Sequence, residues 1–288
     1  MKDFLTTSRV RTLLEEEGIN LKRSRGQNFI TDRNSRDKIL SFAELESKDV
    51  VVEIGAGLGG LTEVLVEKVA RVYAFEIDAD FCRVIRQRFS RYNNLTILEE
   101  DFLKTDENWW RLLPGKAKLI SNTPYYLSTA IVFHLLHYLS HISLVLLTVQ
   151  KEVGERLVAS PGSKAYAPIS VLVSLYGTAR ICYALSRSVF FPQPEVDSVV
   201  VKIFPRKKLL VPAEDRSPFE KILPLFFRFR RKKLSNVLQQ VFGVEKDFFE
   251  GWLREAGLSL TVRIEQLTPE QIYAVFLRLK NLKKTGQN

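Results

Sequence analysis

The run Val50-Val-Val-Glu-Ile-Gly-Ala-Gly-Leu-Gly-Gly60 constrains this chain more than any other. It reads as a buried strand that breaks into a glycine turn and re-forms as a helix. Gly55, Gly57 and Gly60 satisfy the spacing G-x-G-x-x-G, in which missing Cβ atoms let backbone approach a ligand and let helix pack on strand. Alone the pattern is weak, since a strand-to-helix turn need hold nothing. Further apolar runs at 72–75, 95–98, 119–121, 144–149 and 199–204 alternate with helical periodicity at 61–69, 81–89 and 129–139. Six strands arranged in this way predict an α/β, doubly wound sheet with helices on both faces.

The 288 residues suffice for one large core and an appendage. The composition changes at Arg206, giving an expected division into 1–205, with an N-terminal arm over 1–48, and 206–288. The second part reads as a small, all-helical domain. Ser217-Pro-Phe-Glu220 matches a capping box and predicts a helix start, Pro224 predicts a kink or restart, and Thr268-Pro-Glu-Gln271 is a further cap. Residues 206–288 hold 17 Lys/Arg against 9 Asp/Glu, which is +8 of the net +10. An acidic partner such as a phosphate backbone is the expected consequence. On a helix, Arg228, Arg231 and Lys232 share one face, with Arg230 and Lys233 beside it.

No apolar stretch reaches the length of a spanning helix and the first ten residues lack a secretory apolar core, so a cytoplasmic protein without membrane attachment is expected. Cys82 and Cys182 are the two cysteines and read as core filler rather than as a disulfide. His134, His137 and His141 lie on one helical side, but their apolar setting favours packing, and no metal site is expected. Trp109 and Trp110 are expected to cover the sheet. Tyr166 and the loop at 161–164 read equally as an RNA contact and as an ordinary turn.

In open α/β sheets, ligands lie beyond the carboxyl ends of the strands, and here Glu53, Glu76, Asp101 and Asn122 occupy those ends. Glu76 stands 21 residues after Gly55, where a carboxylate accepts ribose hydroxyls. That much suits a nicotinamide cofactor equally well, so an oxidoreductase stands as one reading. Asp101-Phe102 and Asn122-Thr-Pro-Tyr125 favour amine methylation instead. An exocyclic adenine amine is a poor nucleophile because its lone pair is delocalised into the ring. The Asn122 amide oxygen and a backbone carbonyl beside Pro124 would grip its hydrogens, and Tyr125 offers a face to the base.

Taken together, these pieces resemble the small-subunit ribosomal RNA adenine N6-dimethyltransferases of the KsgA/RsmA type, and also the erythromycin-resistance rRNA methylases. The matching segments are Gly26-Gln-Asn-Phe29, Glu53-Ile-Gly-Ala-Gly-Leu-Gly59, Glu76-Ile-Asp78, Asp101-Phe102, Asn122-x-Pro-Tyr125, Val149-Gln-Lys-Glu-Val153, Pro161-Gly-Ser-Lys-Ala-Tyr166, Phe190-x-Pro-x-Pro-x-Val-Asp-Ser198 and Arg230-Arg-Lys232. The resemblance implies a Rossmann-like class I methyltransferase fold and S-adenosylmethionine as cofactor. Gln27, Asn28, Ile30, Glu53, Gly55, Gly57, Glu76, Ile77, Asp101, Phe102 and Asn122 would bind it. Asn122, Pro124, Tyr125 and Phe190 would hold the target, with Phe190 and Tyr125 sandwiching the extruded base. Arg228, Arg230, Arg231, Lys232 and Lys233 would contact RNA.

The implied activity is dimethylation of two adjacent adenines in a hairpin loop near the 3′ end of small-subunit rRNA, with a role in subunit biogenesis, by a monomer acting on that rRNA or a subunit precursor. Three positions depart from the family pattern: Thr123, Tyr126 and Gln193. A large-subunit methylase and a noncatalytic assembly factor are the remaining alternatives.

Overall fold

The computed structural model describes residues 5–21 and 26–285; parts of the expected N-terminal arm and the last three residues lie outside the described set. The strands are β1 (Phe29–Ile30), β2 (Val50–Ile54), β3 (Arg71–Phe75), β4 (Leu95–Leu98), β5 (Ala117–Asn122), β6 (Ile142–Gln150), β7 (Gly177–Leu185), β8 (Phe190–Phe191) and β9 (Ser198–Pro205). The helices are α1 (Thr7–Glu16), α2 (Arg33–Ser41), α3 (Thr62–Lys68), α4 (Ala79–Arg88), α5 (Glu107–Arg111), α6 (Ser128–His137), α7 (Lys151–Leu157), α8 (Pro168–Tyr176), α9 (Ala213–Phe227), α10 (Leu234–Phe242), α11 (Lys246–Glu255) and α12 (Pro269–Thr285). No helix among the described residues is long and apolar enough to cross a membrane.

Seven strands form one sheet in the order β4-β3-β2-β5-β6-β9-β7. Pairing from β4 through to β6 is parallel and the β6–β9 pair is antiparallel. The central strands are apolar on both faces, as burial between helix layers requires: four of the five residues of β2 are buried. All six sequence-predicted strands are present, with ends shifted by up to two residues. β7 was not foreseen. Between its buried ends, Gly177 and Leu185, no residue is buried and the pattern does not alternate regularly, and its Gly177-Thr-Ala-Arg start gives little apolar signal.

Chain contacts divide the protein into two compact units, 1–154 with 178–205, and 155–177 with 206–288. Residues 155–177, grouped by sequence with the first part, belong to the second unit. There α8 is buried along most of its length and the Tyr166 hydroxyl donates to the Leu267 carbonyl at 3.1 Å. Tyr166 is fully buried, which removes it as an RNA contact.

The second unit departs from the sequence expectation in three further ways. α9 begins at Ala213 rather than at Ser217, with Glu214 and Asp215 in its first turn favouring the positive helix end. The helix continues through Pro218 and Pro224 to Phe227 without restarting. Residues 228–232 then form turns, so Arg228, Arg231 and Lys232 do not share a helical face.

Cys82 is buried as expected, whereas Cys182 on β7 is only half-buried. Trp109 meets Phe75 edge-on at 4.9 Å and Trp110 is fully buried, so both rings pack as expected. The histidines are divided among different partners: His134 shares a hydrogen bond with the Thr105 hydroxyl at 2.7 Å and His141 pairs with Glu107.

Within the first unit α7 lies against β9 at Gly154, where an added Cβ would meet Val199 Cγ2 at 2.2 Å. Strand and helix are both packed there, so the strain has no easy outlet. Gly154→Ala is expected to destabilise the protein by about 1–3 kcal/mol in urea denaturation, the usual cost of overpacking.

Candidate active site

The sheet order reverses at β2, whose neighbours are β3 and β5. At such a switch point the connections leave in opposite directions and a crevice opens beyond the strand ends. A cavity lies there, lined by Gln27, Asn28, Ile30, Glu53, Gly55, Gly57, Glu76, Ile77, Asp101, Phe102, Asn122 and Pro124. Every residue expected by sequence to bind cofactor is among them. Leu5, Phe29, Leu103, Tyr126 and Ile131 also line the cavity and were not foreseen. Phe29 stood within the matched Gly26–Phe29 segment, whereas Leu5 carried no signal.

The floor is the turn after β2. Gly55 and Gly57 have φ of +71° and +55°, which side chains with a Cβ rarely adopt. The third glycine of the spacing, Gly60, is under no such demand; Gly59 is, with φ of +84° and an added Cβ only 2.4 Å from the Phe89 ring. The Gly57 N–H donates to Glu76 Oε2 at 2.8 Å, and the Ile77 and Asp78 N–H groups donate to Oε1 at 2.9 Å. A carboxylate has about four acceptor positions. Glu76 therefore keeps one position open toward the cavity and can exchange the Gly57 bond for another donor.

Glu53 sits one layer deeper, 1% exposed, and accepts from the Thr62 hydroxyl at 2.6 Å. Burial, assisted by the nearby Glu76 charge, pushes its pKa up to about 8. Burial also raises that of Glu76, against the opposing effect of its three backbone donors. Two acids thus line the cavity with their charged forms disfavoured by burial.

Asp101 accepts from the Leu103 N–H at 3.0 Å through Oδ1. Phe102 is clamped behind it, edge-on to Phe75 at 5.1 Å and to His134 at 5.3 Å. Across from this wall Ile77 is 56% exposed, an apolar side chain held at the cavity rim.

At the end of β5, Asn122 Nδ2 donates to the Asn28 carbonyl at 2.7 Å. That bond orients the amide and leaves Oδ1 as the free acceptor. The Pro124 carbonyl accepts from the Leu127 N–H at 2.9 Å and from the Ser128 hydroxyl at 3.4 Å. Tyr125 is half-buried and its hydroxyl is 2.7 Å from that of Ser198. Tyr126, where the family has asparagine, is 58% exposed at the cavity mouth.

Phe190 departs from expectation. It pairs with Ile30 between β8 and β1, belongs to the apolar core and is 3% exposed. In this packing Phe190 offers no open face to stand opposite Tyr125, which is half-buried.

In the second unit, Arg231, Lys232 and Lys233 line a cleft with Arg263, which the sequence reading missed. An isolated backbone bridge between Lys233 and Arg263 brings the two segments together. Arg228 is exposed on the preceding turn. Arg230 is not available to a ligand: its Nε donates to Glu265 at 2.6 Å and its Nη atoms donate to the carbonyls of Ser163, Lys164 and Tyr166.

The switch-point cavity, the turn after β2 and the Asn122–Tyr125 segment are the fold and site of a class I methyltransferase. A family model described as ribosomal RNA adenine dimethylase matches residues 18–281. The chain belongs to that family. It is 38% identical over 281 residues to the ribosomal RNA small subunit methyltransferase A of Lactococcus lactis, covering 96% of each chain, and 38% identical to the enzyme of that name from Streptococcus pneumoniae, covering 94% of this chain and 96% of the other. Among solved structures, a dimethyladenosine transferase from Plasmodium falciparum superposes with a TM-score of 0.71 at 25% identity, over 88% of this chain and 97% of the other. The 23S rRNA methyltransferase ErmE gives 0.67 at 24% identity, over 88% and 99%, a likeness of fold alone. The oxidoreductase reading is thereby overturned.

Unfolding releases Glu53 to an ordinary value near 4.5. Between there and about 8 the folded state holds the extra proton, so stability falls as pH rises through that window. Thermal melts are expected to show this slope, worth on the order of a few kcal/mol in total, and Glu53→Gln is expected to flatten it.

Proposed function

We propose that the protein transfers methyl groups from S-adenosylmethionine to N6 of two adjacent adenines in a hairpin loop near the 3′ end of small-subunit rRNA, each adenine twice. The observation that carries this reading is the Asn122 amide, locked by Asn28 with its oxygen free at the end of β5. The full-length likeness to small-subunit methyltransferases favours that substrate over large-subunit rRNA.

Glu76 would take a ribose hydroxyl at its open position and a second in place of Gly57, while Asp101 would read the adenine amine between Ile77 and Phe102. Asn28, Gln27 and Ile30 would close over the cofactor from β1, and Glu53 would favour its cationic end. When bound, the sulfonium supplies an activated methyl group. The chain supplies the rest by placement. Asn122 Oδ1 and the Thr123 carbonyl accept the two hydrogens of the target amine, which draws the nitrogen lone pair out of the ring and aims it along one line. Pro124 keeps that carbonyl extended, and Tyr125 supports the extruded base, stacking being worth about 1–3 kcal/mol. Each transfer also releases one proton from the amine to solvent, so after the first a single hydrogen remains and the second requires the amine to turn and use one acceptor.

The basic cleft with Arg228, Arg231, Lys232, Lys233 and Arg263 would track phosphate without reading sequence. Arg230 is left out of that set because its guanidinium is spent within the unit. A cytoplasmic monomer acting on rRNA or a subunit precursor, with a role in subunit biogenesis, accords with this chemistry.

Labelled S-adenosylmethionine incubated with unmethylated small subunits, large subunits and free rRNA is expected to yield dimethyladenosine in small-subunit RNA. Label in large subunits alone would move the protein to the other class, and no transfer would favour an assembly factor. Asn122→Ala is expected to lower kcat, measured at saturating S-adenosylmethionine, at least about 100-fold, as loss of one orienting acceptor implies. Charge reversal at Arg231 and Lys232 is expected to weaken RNA binding and reduce its log–log salt slope by about 2 or more; an unchanged slope would exclude the cleft.

A further inference from the structure

The Asp197-Ser198 pair has no part in the activity described so far, yet it is bonded both to Tyr125 and to the loop that carries Phe190. Ser198 opens β9 and is fully buried. Its hydroxyl stands 2.7 Å from the Tyr125 hydroxyl. At the other end of that residue the Tyr125 carbonyl accepts from the Ser128 hydroxyl at 3.1 Å, so backbone and ring tip are both tethered. The residue before Ser198 holds the opposite loop. Asp197 Oδ1 accepts the Arg187 N–H at 2.9 Å, and Arg187 Nη1 donates to the Glu195 carbonyl at 3.1 Å, closing the 187–197 loop that carries Phe190. The Asp197 carbonyl also takes the Lys151 N–H at 3.0 Å, just past the end of β6.

We propose that Ser198 is a positioning residue for methyl transfer, fixing the plane of the Tyr125 ring through its hydroxyl and so setting the height of the target adenine against Asn122. This rests on the activity proposed above. A half-buried tyrosine normally turns its hydroxyl toward water. Here the hydroxyl is directed inward to a buried serine on a packed strand, which removes the freedom of the ring at the cost of its hydration. An N6 amine gripped by two acceptors tolerates little error in base placement, because misalignment by a fraction of an ångström breaks one of the two hydrogen bonds. Ser198 touches neither base nor cofactor; it acts through Tyr125 alone. Asp197, one residue earlier, holds the 187–197 loop through the Arg187 N–H, so the start of β9 is itself anchored where it meets Tyr125.

The test is a double-mutant cycle on kcat/KM for unmethylated small subunits, using Ser198→Ala, Tyr125→Phe and the pair. Each single variant is expected to lose about fivefold, the value of one ordinary hydrogen bond. The pair is expected to lose about the same rather than the product of the two. The loss is expected in kcat more than in KM, with a larger share of product halted at monomethyladenosine and with the Kd for S-adenosylmethionine unchanged. Tyr125→Phe removes the same bond from the accessible side and leaves the buried strand intact, so the proposal stays testable if Ser198→Ala folds poorly. Singles that match the parent, losses that multiply, or a loss confined to cofactor affinity would each overturn it. If the parent protein itself makes no methyladenosine, the activity falls and this inference with it; an active parent with unaffected variants removes the inference alone.

Discussion

The parallel pairing of β2 with β3 on one side and β5 on the other is the constraint on which the site depends. Register places Ile54 opposite Phe75 and Ser121. Because parallel strands end on the same edge, Glu53, Glu76, Asp101 and Asn122 arrive at one crevice although some 70 residues separate the first from the last. Connections that leave β2 in opposite directions keep that crevice open. The glycine turn then has to bend sharply beneath it, and Gly55, Gly57 and Gly59 carry the positive φ values that make the bend possible.

Electrostatics follows from the same layout. Glu53 is buried because it lies on a central strand covered on both faces, and it keeps a proton there to an unusually high pH. Glu76, one strand over, is held by three backbone donors of the turns around it. The site thus presents acidic groups whose ionised forms are under-stabilised by the free protein. A nearby positive charge favours the ionised form of such groups.

The two-stranded pairing of β1 with β8 links the other two parts of the site. Asn28, which directs the Asn122 amide, immediately precedes β1, and Phe190 begins β8. The segment that carries Asn28 and the loop that carries Phe190 are thereby joined by strand pairing rather than by side-chain contact alone. β9 supplies the second tie through Asp197 and Ser198.

What the sequence by itself determined was the part encoded locally. Apolar runs bounded by turn residues marked the six strands, strand ends marked the acids and Asn122, and all eleven residues expected to bind cofactor do line the cavity. These signals are legible because strand and helix periods, and the glycine demand of a turn, act over a few neighbouring residues. Tertiary structure decided whatever depends on a distant partner. Arg230 was one cation in a basic run until Glu265 and three carbonyls claimed it. Phe190 was one aromatic in a loop until pairing with Ile30 drew it into the core. Residues 155–177 joined the second unit through packing that their own composition does not announce, and Arg263 joined the basic cleft across a single backbone bridge. A side chain's type sets which bonds it can make, but which of them it makes depends on the groups that folding brings within about 3 Å.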